Sequence, residues 1–102
     1  MKKGKAFLVN YADHSLGNIM DFATEIIPLT EGNVNVFDLD RVQFNILKAL
    51  QGFSPEDCLV LNGPIILNFM AAKVLYENFT VDETHLLLWD AVNRQYLRKD
   101  LK

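Results

Sequence analysis

The chain has 102 residues, of which half are hydrophobic, 23% are charged and 11% are aromatic. That is enough apolar material for one packed core, and it excludes a disordered or linker-like chain. The net charge of −3 argues against a surface that grips a nucleic-acid polymer through its phosphates, and the single cysteine, Cys58, excludes a disulfide framework and a cysteine-based zinc site.

Residues 1–5 read as a basic tail. Ala6-Phe7-Leu8-Val9 is a short, continuous apolar run, the pattern of a strand buried on both faces. A polar loop follows from Asn10 to Ser15, and Leu16, Ile19, Met20 and Ala23 then recur at helical spacing, weakened by Gly17. Glu25 to Thr30 predicts a second strand, and Pro28, which has no amide donor, means that it either lies at an edge or contains an irregularity. Val34 to Phe37 fits either a strand or an extended loop. Asp38 is placed to cap a helix whose stripe is Leu39, Val42, Ile46, Ala49, Leu50 and Phe53. Ser54-Pro55-Glu56-Asp57 reads as one capped turn, and Cys58 to Leu61 as a buried strand. Asn62-Gly63-Pro64 then turns the chain into a long helix that runs to about Phe79. His85 to Trp89 and Gln95 to Leu101 are close enough to form an antiparallel hairpin across a turn at Ala91–Arg94.

The order β-α-β-α-β-α-β-β predicts a single three-layer α/β domain with a mainly parallel sheet, helices over both faces and a C-terminal β-hairpin. It resembles small Rossmann-like domains, including the ligand-sensing domains of CRISPR-associated proteins, a likeness of fold alone. No stretch has the pattern of a signal peptide or of a membrane span, so the expected compartment is the cytoplasm.

At about 100° per residue the long helix carries two apolar arcs. Ile65, Phe69, Ala72, Tyr76 and Phe79 form one; Leu67, Met70 and Val74 form the other. A helix lying on a sheet needs only one. The second either packs on a neighbouring helix or meets another subunit, and the sharper expectation is a homodimer through Leu67, Met70 and Val74, joined by Phe44 and Leu47.

Ligands of open parallel sheets bind beyond the carboxyl ends of the strands. There the sequence places Asn10, Tyr11, His14 and Ser15 after the first strand and Asn62 and Gly63 after the third. Gly63 lets backbone approach a ligand, and the helix behind it offers unpaired amides, a combination suited to a small anion such as a nucleotide. The same residues also fit a tight turn and a helix cap with no ligand at all. Neither dinucleotide nor Walker glycine patterns occur, no metal-ligand spacing is present, and no cofactor is expected. Three readings follow: a binding module for a small anionic ligand, a homodimeric structural or regulatory interaction protein, and a small-nucleotide phosphodiesterase with His14 as its acid or base.

Overall fold

The computed structural model describes residues 3–12 and 16–102. Among them lie five strands and two α-helices: β1 (Gly4–Leu8), β2 (Ala23–Pro28), α1 (Leu39–Ala49), β3 (Cys58–Val60), α2 (Ile65–Asn78), β4 (Thr84–Asp90) and β5 (Gln95–Leu101). The sheet order is β2-β1-β3-β4-β5. The first four strands are parallel, and β5 returns antiparallel to β4, with Trp89 opposite Tyr96 and His85 opposite Asp100. The expected hairpin is therefore present, and β2, with Pro28 at its end, is an edge strand.

Strand alternation sorts the core into two faces. Phe7, Leu59 and Leu86 point to the helix side, where they meet Val42, Ile46 and Leu50 from the α1 region and Leu67, Ala71, Val74 and Leu75 from α2. Ala6, Leu8, Cys58, Val60 and Leu87 point the other way.

That second face corrects the three-layer expectation. The first connection is not an α-helix but a segment with one 3-10 turn, Ile19–Asp21, whose Ile19 packs on the sheet with Leu16 and Phe22 beside it. Gly17 has a positive φ of 54°, outside helical space, and a Cβ there would press on the Trp89 and Tyr96 rings. Asn18 is drawn away from a helix by the edge strand: its Oδ1 accepts from the Tyr96 amide at 2.6 Å, and its Nδ2 donates to the Tyr96 carbonyl at 3.2 Å.

The N-terminal boundary also moves. Gly4 and Lys5 belong to β1 rather than to a tail. Gly4 lies so close to Glu56 and Asp57 that a Cβ would sit 2.5 Å from the Glu56 carbonyl oxygen. The buried Asp57 carboxylate accepts from the Lys5 amide at 2.8 Å and from the Ser54 amide at 2.8 Å, closing the Ser54–Asp57 turn. Val34–Phe37 is loop, and Asp38 stands at the α1 N-cap without a side-chain capping bond.

The two arcs of α2 have exchanged roles. Leu67, Met70 and Val74, expected at a subunit interface, are buried in the chain's own core, and Leu47 packs against the same cluster. The sheet takes this arc because Ala71 and Leu75 widen it into a continuous inward face. Ile65, Phe69 and Tyr76 instead face solvent at 87%, 66% and 52% exposure, and Phe44 on α1 is also exposed. Leu67→Ala should therefore cost about 2–5 kcal/mol of unfolding free energy. Phe69→Ala should shift the stability of the isolated fold by no more than about 0.5 kcal/mol. Chemical denaturation of both variants checks the assignment.

Candidate functional site

In a sheet of this order the strand order reverses between β1 and β3, and the crevice beyond their carboxyl ends is where ligands of such sheets lodge. Asn10 and Asn62 meet there. The Asn62 side chain behaves like one more rung of the β1–β3 ladder: its Oδ1 accepts from the Asn10 amide at 3.0 Å, and its Nδ2 donates to the Asn10 carbonyl. Asn10 is buried and turns its own Nδ2 toward β2, donating to Thr30 Oγ1 at 2.8 Å and to the Gly32 carbonyl at 3.1 Å. Thr30 Oγ1 in turn donates to the Val9 carbonyl at 2.7 Å.

The relay continues into α2. Asn68 Oδ1 accepts from the Asn62 amide at 3.1 Å, and Asn68 Nδ2 donates to the carbonyls of Asn62 at 2.9 Å and Pro64 at 3.0 Å. Gly63 takes a φ of 75°, and a Cβ there would lie 2.9 Å from the Asn10 Cβ. Its missing side chain thus makes room for Asn10. Among the described residues, no buried side-chain nitrogen or oxygen lacks a partner.

Of the residues singled out in the sequence, Asn10, Asn62 and Gly63 come together at this crevice. Tyr11 lies beside it, half exposed, bridged to Glu31 through backbone bonds. His14 and Ser15, with the acid–base role considered for His14, lie outside the described residues. Asn68 and Thr30 complete the relay. In the sequence Asn68 separates two apolar arcs, and the only local hint of its function is its position four residues after Pro64, where a side chain reaches back to the first turn.

The concavities around the sheet are shallow and acidic. One of about 290 Å³ at the carboxyl end of β2 is lined by Thr30, Glu31, Asn35, Asp38, Arg41 and Asn45. Another, of about 370 Å³, opens at the opposite, amino-terminal rim beside Ser54, Thr80, Asp82, Glu83 and His85. Carboxylates in both oppose an anionic guest.

Next to the second concavity the hairpin register brings three titratable groups together. His85 Nδ1 lies 2.7 Å from Asp100 Oδ1 and 3.6 Å from Glu83 Oε1. These ligand-type atoms all fall within 4.8 Å of one another. Arg98 supplies a cation to the cluster from within the chain, with its Nε donating to Asp100 at 3.1 Å and its terminal nitrogen 3.0 Å from His85 Nδ1. Nδ1 donates to Asp100 when it carries the proton and accepts from Arg98 when it does not. We read this group as an ion cluster that ties the open end of the hairpin.

The hydrogen bond from His85, reinforced by Arg98, holds the Asp100 carboxyl below the usual carboxylate range. Asp90 is held down likewise by Asn93, which donates to it from side chain and backbone across the hairpin turn. Burial pushes the Cys58 thiol up to about 11, far from the thiolate that nucleophilic or metal chemistry needs.

These features define a small α/β domain with a mostly parallel five-stranded sheet, two helices and a crevice closed by its own amides. The chain belongs to the family described as "Phage Pam3 gp32-like protein", whose sequence profile matches residues 6–102. No curated protein and no solved structure matches it.

Asn62→Ala should destabilise the fold by about 1–3 kcal/mol, because it leaves the Asn10 amide and carbonyl unpaired in a half-buried place. Denaturant titration measures this. A second expectation concerns pH. Asp100 has a lower pKa folded than unfolded, so its contribution is complete above the unfolded value and fades as pH falls through the folded one. The melting-temperature gap between wild type and Asp100→Asn should thus be widest near neutrality and close below about pH 4.

Proposed function

We propose that this chain is a non-catalytic interaction protein that works as a homodimer through the helix side of its sheet. One observation carries the reading: the outward arc of α2 shows Ile65, Phe69 and Tyr76 to solvent. Leu97 and Leu101 of β5 add exposed apolar side chains on the same side of the sheet, where they stand opposite Leu88 and Thr84 in the ladder. A helix layer usually buries its aromatics, and an aromatic patch of this kind marks a protein-contact surface.

The competing reading, a binding module for a small anion at the β1/β3 crevice, has less in its favour. The side-chain amides of Asn10 and Asn62 already bond to backbone and to Thr30, and the neighbouring concavities carry carboxylates.

A second copy suits the patch in size. Buried aromatic rings account for about 150–250 Å² each, which puts the five exposed side chains on the order of 500 Å². A standard interface takes about 800 Å² from each partner, a little over half of it apolar.

In sedimentation analysis the wild-type chain should run at twice its own mass, and Phe69→Asp should run as a monomer with an unchanged far-UV spectrum. In thermal-shift assays nucleotides and phosphorylated metabolites should leave the melting temperature unmoved. A saturable rise, worth about 2.7 kcal/mol at 100 times the dissociation constant, would return the function to the anion-binding reading.

A further inference from the structure

The arrangement of residues along α2 specifies how two copies would meet. Taken from Ala72, the residues three to four positions away in either direction are Phe69 and Tyr76, both exposed, whereas Phe79, seven positions on and past the helix end, packs on the core. The outward stripe therefore carries one aromatic ring on each side of its smallest side chain. A two-fold axis asks for this pattern, since an isologous contact must set each residue of a surface against its mirror position on the same surface. We infer that two copies pair through antiparallel α2 helices that cross at Ala72, an inference that rests on the homodimer reading above and gives it a geometry.

Four features support it. In this arrangement Phe69 of one copy faces Tyr76 of the other. The Tyr76 ring is held in place beforehand, its hydroxyl hydrogen-bonded to Thr84 Oγ1. Little of its side-chain freedom is then left to lose on association. Ala72 at the crossing lets the axes approach at the short end of the 8–10 Å range for packed helices.

The fourth feature is charge. The charged residues of α2, Lys73 and Glu77, pair with each other at 2.6 Å on the exposed flank, about 60–120° around the helix from the stripe. The stripe itself carries no charge, so its copy meets no like charge across the axis. Both charged groups remain at the rim, where they limit which other apolar surfaces could dock.

Cross-linking tests the geometry. With the helices crossing at Ala72, Ala72→Cys places two thiols within disulfide reach, while the two residues at position 65 lie about 21 Å apart along the helices. Under mild oxidation Ala72→Cys should convert most of the protein to a reducible dimer on a denaturing gel. The wild type, whose only thiol is the buried Cys58, should stay as single chains, and so should Ile65→Cys.

Self-cross-linking of Ile65→Cys would mean parallel helices and overturn the proposal. So would a wild-type dimer whose Ala72→Cys form refuses to cross-link while keeping its native spectrum, although the homodimer reading would survive. A wild type that sediments as a monomer at all accessible concentrations would overturn both. Ile65 is 87% exposed at the helix start, so its substitution leaves the fold intact and keeps the comparison sound.

Discussion

The carboxyl rim of this sheet is held shut by side-chain amides, and the positions of the other elements follow from that closure. Asn62 hydrogen-bonds to both backbone groups of Asn10, so β1 and β3 stay joined two residues beyond their ends. Asn10 then reaches β2, and Asn68 ties the first turn of α2 to the end of β3. The carboxyl ends of β1, β2 and β3 are thereby joined to one another. A bond network of this kind, spanning three strands and a helix, rigidifies the rim. It also leaves little for a guest to bind, which directs attention from the crevice to the outer face of the helices.

The parallel core was legible in the sequence because its strands are short, unbroken apolar runs, and Cys58-Leu59-Val60 and Ala6-Phe7-Leu8-Val9 occur where the structure has its central pair. The hairpin was legible from its turn and spacing. The first connection was not. Leu16, Ile19, Met20 and Ala23 have helical spacing, but Asn18 bonds to Tyr96, 78 residues away, and no local pattern reports a partner so distant. Nor could the sequence say which side of α2 meets the sheet. That helix carries two apolar arcs on nearly opposite sides, and periodicity fixes an inward face only where a polar one opposes it.

The rim illustrates the same boundary. Polar residues at strand ends marked Asn10, Asn62 and Gly63 correctly as neighbours, since topology alone brings them together. What they do there depends on distances of a few tenths of an ångström. Gly63 is next to a side chain of its own fold, and Asn68 reaches backward instead of separating two faces. His85 and Asp100, 15 positions apart, become partners only through the strand register, which a count of residues along the turn does not give.

The Asn18 contact has one more effect. By occupying the outward amide and carbonyl of Tyr96, this side chain stands in for a sixth strand along one residue of an otherwise open border. Unsheathed borders are where β proteins polymerise into ribbons and fibrils. At this residue the side chain takes the place a neighbouring strand would need, which blunts lateral growth of the sheet along the β5 border.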